Sequence, residues 1–354
     1  RNIQTIISFF GVLYSGNFYV PIDRNMPSAR IKKIFDRINP KIVITLRDES
    51  KVLNEIDYHD AIIPYDQAIS TTIKEEELKK IRSIMIDTDP VYAVFTSGST
   101  GSPKGVLICH RSVIDLIDQF SRTFGFSNDS IFGNQAPLDY DGSVKDIYST
   151  IKNCASMYII PKEFFSFPKN LLEFIEKHTI NTIIWATSAL RIIANLKAFE
   201  TCKPSSLKKV LFTGEVMPNK VLNYLRKHYP EALFANLYGP TEITCNCTYF
   251  IVARPFSDDE DLPIGYPFPN TDIFLLNERN ELCHTDEIGE ICVRGSSLAL
   301  GYYNDLEGTA KSFCDNPLNP FYPEKIYRTG DIGKFNSLGE LIFISRKDSQ
   351  IKHM

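Results

Sequence analysis

Residues 91–109 read VYAVFTSGSTGSPKGVLIC: two apolar runs flank a stretch that is all small, hydroxylated or glycine except for Pro103 and Lys104. The flanking runs have the β-branched, aromatic composition of strands, which a flexible Gly/Ser linker would lack. A loop of this kind is suited to phosphate. Its glycines let backbone N–H groups turn toward an anion, its hydroxyls add donors, and Lys104 brings positive charge at the far end. The spacing is not that of a Walker A loop, because Gly105 follows the lysine where that motif has a metal-binding hydroxyl. An ordinary P-loop ATPase is therefore excluded.

Outward from this stretch, residues 91–246 alternate strand-like runs with helical patterns, which predicts βα units and a largely parallel sheet. VYAVF runs into TSGSTG, INTIIW into ATSALR, LKKVLF into Thr213, Gly214 and Glu215, and EALFANL into YGPTE. Ligands of open α/β sheets bind at the carboxyl ends of strands, so these four polar turns are expected to line one cleft. After about Cys247 the pattern becomes short extended runs (TYFIVAR, TDIFLLN, GEICVRG, ELIFISR) and predicts mostly antiparallel β structure. The expected fold class is α/β, with parallel α/β subdomains over 1–246 and a barrel-like antiparallel subdomain over 247–346. Both ends read as cut: residues 1–10 have the apolar spacing of mid-helix, and 347–354 form a stub within a charged extended stretch.

The 354 residues, 43% hydrophobic, can bury a large core. A net charge of −4 without long charge runs gives no footprint for nucleic acid and no basic face for a membrane. No apolar stretch reaches the roughly 18 residues of a membrane span, so the expected location is cytoplasmic. Eight cysteines, with no C-x-x-C pair, read as buried thiols in a reducing compartment. Cys245 and Cys247 fall on one side of a strand if that segment is extended.

In chain order the remaining punctuation is YVPID (19–23), TSGSTGSPKG (96–105), LDYDGSVKDIY (138–148), NLYGPTE (236–242), GEICVRGSSLALGY (289–302), YRTGD (327–331) and SRKDSQIK (345–352). This series resembles the adenylate-forming superfamily over effectively the whole chain. Within it, the likeness is to the amino-acid adenylation domains of nonribosomal peptide synthetases and to D-alanine carrier-protein ligases.

The resemblance implies an ATP-dependent ligase that joins an amino-acid carboxylate to AMP, releases pyrophosphate, and passes the acyl group to the phosphopantetheine thiol of a carrier protein. Such chemistry needs a site that neutralises triphosphate charge and holds the acid in line. The implied phosphate contacts are Thr96, Ser97, Gly98, Ser99, Thr100, Gly101 and Lys104. Thr241 and Glu242 match the α-phosphate and Mg²⁺ contacts; a bridging cation removes the repulsion between a carboxylate and a triphosphate. Tyr238 matches the ring that stacks on adenine, with Gly214, Glu215, Asn236 and Gly239 around the nucleotide. Asp331 matches the acceptor of the ribose hydroxyls, with Phe343 and Arg346 beside it. Two residues depart from the pattern: Ser345 stands where glycine is usual and Phe343 where tyrosine is frequent, removing a possible hydrogen bond of about 1 kcal/mol. Asp348 matches the hinge of a small C-terminal subdomain that carries the family's catalytic lysine, and that subdomain is expected beyond the chain.

Asp141 matches the carboxylate that holds a substrate α-ammonium, which would make the substrate an amino acid; the alternative is a cap for the helix beginning near Ser143. The implied side-chain pocket is Gly142, Lys145, Ser188, Leu211, Thr213, Leu237, Cys245 and Asn246. Lys145 points to an acidic or hydrogen-bonding side chain on the substrate, or else pairs with Asp141 one helical turn away. Competing readings are an acyl- or aryl-CoA ligase, against which Asp141 argues, and a binding core with negligible turnover.

Overall fold

The computed structural model describes residues 2–46, 50–97 and 102–347. Gly98, Ser99, Thr100 and Gly101 of the expected phosphate loop lie outside the described residues, as does Asp348. The fold class is the expected one. A seven-stranded sheet runs in the spatial order Tyr266–Pro267, Thr248–Ile251, Leu233–Tyr238, Lys209–Thr213, Thr182–Ala186, Ile131–Asn134 and Ser156–Ile159. The five strands from Leu233–Tyr238 to Ser156–Ile159 are parallel, and the first two pair antiparallel.

Alternation across this sheet divides the interior in two. Ile184, Leu211, Ala235 and Leu237 face one core; Ile183, Trp185, Val210, Phe212 and Phe234 face the other. Burial on both faces is why these runs read as continuously apolar. The helices Pro168–Lys177, Thr187–Asn195 and Asn219–His228 cover the second face through Leu171, Leu190 and Leu222. His110–Phe124, Gly142–Lys152 and Ile3–Tyr14 cover the first.

The strand carrying VYAVF does not belong to this parallel sheet. Pro90–Ser97 pairs antiparallel with Pro103–Cys109, with Thr96 opposite Lys104 and Ser97 opposite Pro103, and Gly301–Tyr302 adds a third strand. The physical reason lies in the sequence: the stretch 98–102 is too short for the crossover of a dozen or more residues that parallel pairing requires. The seven-stranded sheet thus supplies three of the four expected turns, and the fourth loop arrives from a separate hairpin. Tyr19 of YVPID ties that hairpin down, exchanging backbone hydrogen bonds with Val91 and Ala93 and stacking on Phe9 at 4.1 Å between ring centroids.

Beyond the parallel sheet lies a five-stranded antiparallel sheet: Thr271–Leu276, Gly289–Gly295, Lys325–Phe335 and Phe313–Asp315, with Leu341–Arg346 on the far half of Lys325–Phe335. The cysteines depart from expectation. Cys109, Cys245, Cys247 and Cys292 are buried, but Cys154 is exposed and the others are intermediate; all eight are free thiols. No helix among the described residues is long and apolar enough to cross a membrane.

Asp146, on Gly142–Lys152, is a fully buried carboxyl whose Oδ2 accepts from Asn134 Nδ2 at 2.9 Å. Burial pushes its pKa up to about 7, against the opposing effects of Asn134 and nearby Lys145. The folded state therefore keeps this proton to higher pH than the unfolded chain, which releases it near 4. Asp146 makes stability fall as pH rises from about 4 to about 7 and become flat above. Asp146→Asn is expected to abolish that decline, measured as the difference in urea midpoint between pH 5 and pH 8. An unchanged difference would mean that Asp146 is already charged at pH 5.

Candidate functional site

The turn following Leu233–Tyr238 gathers more of the expected residues than any other. It leaves the strand at Gly239, makes one 3₁₀ turn over Thr241–Ile243, and returns through Thr244 and Cys245, both left-handed (φ 57° and 70°). Cys247 N–H then donates to the Tyr238 carbonyl at 2.8 Å. Cys245 and Cys247 are accordingly not paired on an extended strand; the reversal at Thr244 and Cys245 breaks the period of two. Gly239 is required by contact: a Cβ there would meet Asn246 Cα at 2.5 Å, the Cys245 carbonyl oxygen at 2.7 Å and Cys247 N at 2.9 Å.

Tyr238, at the start of this turn, reaches across to the antiparallel sheet. Its hydroxyl donates to Asp331 Oδ2 at 2.6 Å, and Arg346 NH1 donates to Asp331 Oδ1 at 3.0 Å. Burial and the adjacent Asp331 carboxylate hold the Tyr238 pKa well above its ordinary value, so the phenol remains a donor. Phe343 lies 6.5 Å from Tyr238 between ring centroids. The expected adenine and ribose residues Tyr238, Asp331, Phe343 and Arg346 therefore form one cluster.

Glu242, four residues after Tyr238, has a partner that motif reading left without a role. Tyr302 OH donates to Glu242 Oε1 at 2.8 Å, and Lys104 Nζ stands over the Tyr302 ring at 4.7 Å from its centroid. Burial, followed by the Glu242 charge, raises the Tyr302 pKa and keeps it protonated. The backbone fixes the same arrangement: Ala299 N–H donates to the Glu242 carbonyl at 2.9 Å, Leu300 to Leu107 at 2.8 Å, and Tyr303 to Gly105 at 2.7 Å. Residues 299–303 thus stitch the hairpin to the Glu242 turn, carrying Lys104 toward Glu242. The available signal was Tyr302 itself, an aromatic at the end of GEICVRGSSLALGY. Thr96 and Ser97 close the described part of the hairpin, and Thr241 is buried on the 3₁₀ turn.

Asp141 precedes Gly142–Lys152 in right-handed helical conformation (φ −59°, ψ −24°), and its side chain makes no capping hydrogen bond. A helix cap therefore does not account for it. It is 3% exposed, and its carbonyl accepts from Cys245 Sγ at 3.0 Å. One turn on, Lys145 is 2% exposed; its Nζ donates to Asn246 Oδ1 at 2.9 Å, and Asn246 Nδ2 donates to Thr213 Oγ1 at 3.1 Å. This chain of contacts joins Asp141, Lys145, Thr213, Cys245 and Asn246. Gly142 lies between the two charged residues, and Leu211 and Leu237 are buried on neighbouring strands, within the first core. Ser188 is half-buried in the first turn of Thr187–Asn195.

Other expected nucleotide contacts have structural ties. Asn236 Nδ2 donates to the Pro263 carbonyl at 2.8 Å, and Glu215 faces Arg191 at 3.7 Å. Gly214 is left-handed, with φ 95°. Among the described residues, no group of three or more His, Cys, Asp or Glu side chains could hold a metal ion.

The family described as AMP-binding enzyme matches residues 1–303. The chain belongs to that family. It is 31% identical over 352 residues to bacitracin synthase 1 of Bacillus licheniformis, covering 99% of this chain and 6% of that protein. It is 29% identical over 354 residues to the D-alanine--D-alanyl carrier protein ligase of Bacillus cytotoxicus, covering 98% of this chain and 67% of that one. The chain is thus a small fraction of the length of the large synthase. Among solved structures, the nonribosomal peptide synthetase FmoA3 superposes with a TM-score of 0.86 at 23% identity, covering 98% of this chain and 36% of FmoA3, a likeness of fold.

Gly239→Ala is expected to destabilise the protein by about 1–3 kcal/mol, the usual cost of overpacking, because its new methyl group meets backbone. Urea unfolding measures this directly, and an unchanged midpoint would show that the 244–247 return can shift freely.

Proposed function

We propose that this AMP-binding chain activates an amino acid as its adenylate. The substrate carboxylate oxygen attacks the α-phosphorus of ATP; the new C–O–P bond forms as the bond to the β-phosphate oxygen breaks, and pyrophosphate leaves. In the complete protein the acyl group then passes to the phosphopantetheine thiol of a carrier protein. The observation that carries the amino-acid reading is Asp141: a buried carboxylate not used as a cap, set between the Cys245 turn and the helix that bears Lys145. A buried carboxylate at this place can accept charge-assisted hydrogen bonds from a substrate α-ammonium. The amino-acid and carrier-protein parts of the reading draw further support from the D-alanine ligase likeness.

The remaining roles follow from the two clusters. Tyr238 offers a ring to adenine, while Asp331 accepts from the ribose, its two oxygens already aligned by Tyr238 and Arg346. Lys104 and the hairpin loop meet the outer phosphates, and Thr241 meets the α-phosphate. Glu242 fits a magnesium contact. Mg²⁺ is commonly held by one or two carboxylates together with substrate phosphates, and a single half-buried carboxylate oriented by Tyr302 suits that need. When bound, the ion would neutralise triphosphate charge.

The test compares non-hydrolysable aminoacyl-sulfamoyl adenosines with their desamino counterparts, by thermal stabilisation and calorimetry. Wild type is expected to prefer the amino form. Asp141→Asn should weaken that form by at least about thirtyfold, as expected for a buried charge pair, and leave the desamino compound unaffected. Equal loss of both compounds, or a wild type that binds only an aryl adenylate analogue, would overturn the reading.

A further inference from the structure

Lys145 has few acceptors for a buried ammonium. Lysine has three N–H donors, and among the described residues its ammonium donates one hydrogen bond, to the neutral Asn246 Oδ1. The supporting geometry is fixed from behind. Thr213 Oγ1 accepts from Asn246 Nδ2, which turns the amide oxygen toward Lys145. Along the same helix, Asp146 is turned toward Asn134. Burial raises the Asp146 pKa to about 7 against the opposing pull of Lys145, so near neutral pH it offsets the Lys145 charge only in part.

A charge count then restricts the ligand. Among the described residues here, Asp141, Lys145 and Asp146 are side chains of ordinarily charged type, each at most 3% exposed, and burial pushes the pKa of the neighbouring Cys245 thiol up. This step rests on the adenylation reading above. Once a substrate α-ammonium engages Asp141, those two charges offset each other, and Lys145 is left with the Asn246 amide, the Thr213 hydroxyl behind it and a partly protonated Asp146. A buried uncompensated ammonium is costly, and a carboxylate is the group that relieves it most, through charge-assisted hydrogen bonds to the remaining donors. A neutral amide side chain offers an acceptor without the charge; an aliphatic one offers neither.

We propose that the pocket selects an amino acid with a carboxylate in its side chain, the aspartate and glutamate class, which pairs with Lys145 Nζ as oriented by Asn246 and Thr213. Lys145 is thus a specificity-determining residue that touches the substrate, and Asn246 and Thr213 are positioning residues behind it.

The experiment measures calorimetric Kd values for the sulfamoyl-adenosine analogues of glutamate, aspartate, glutamine, asparagine, alanine and phenylalanine, with an aryl analogue, on wild type and on Lys145→Met. One acidic analogue is expected to bind wild type at least about tenfold more tightly than its own amide, the difference between a charged and a neutral hydrogen-bonded pair. Lys145→Met should erase that ratio and retain the neutral analogues. Should the variant fail to fold, the wild-type ratio of acid to amide decides alone. Amide or aliphatic analogues binding as tightly as the acids would overturn the acidic selection and leave amino-acid activation standing. Binding of the aryl analogue alone would overturn both.

Discussion

The contact on which the site depends is the approach of Gly239 to the backbone of residues 245–247, close enough to exclude even a methyl group. From that one fold-back, Tyr238 is aimed at the antiparallel sheet, Glu242 at the hairpin, and Asn246 at the helix after Asp141. In the function proposed above, each direction serves a different part of a composite ligand: base and ribose, phosphates, and acyl group. A turn that relaxed by an ångström would misalign all three together, because they share a single short segment of chain.

The site is also a place where burial and charge are deliberately opposed. Asp141, Lys145, Asp146 and Asp331 are all within the folded interior, where ionised groups are expensive unless paired. Asp331 is met by Arg346 and Tyr238, whereas Lys145 has a neutral amide for a partner. The contrast separates a carboxylate matched by charged and polar groups of its own protein from an ammonium whose further partner, in the proposal above, is the ligand.

Much of this could be read from the residues. The strands Thr182–Ala186, Lys209–Thr213 and Leu233–Tyr238 were legible because central parallel strands are apolar on both faces. The meeting of Tyr238 with Asp331 was legible because YGPTE and YRTGD bring uncommon residue types in a fixed order. The hairpin is not legible from composition, which announces a strand without naming its neighbour; the shortness of 98–102 holds that information. The fold-back at Thr244 and Cys245 escaped for a different reason: positive φ at a β-branched residue runs against local preference and is imposed by surrounding structure. Tyr302 escaped because its importance lies in contacts to Lys104 and Glu242, distant in sequence.

The bonds that close the site span long stretches of chain: Tyr302 to Glu242 is separated by 60 residues, Tyr238 to Asp331 by 93, and Lys145 to Asn246 by 101. Closing such loops costs entropy before the contact repays it, which slows folding dominated by non-local pairs. During synthesis, which proceeds from the amino end, the helix bearing Asp141 and Lys145 leaves the ribosome long before Asn246 exists to meet it. For that interval a lysine destined for the interior must stay in water. The Lys145–Asn246 contact can be assembled on the nascent chain only after residue 246 has emerged, and the Asp331–Arg346 pair only after residue 346.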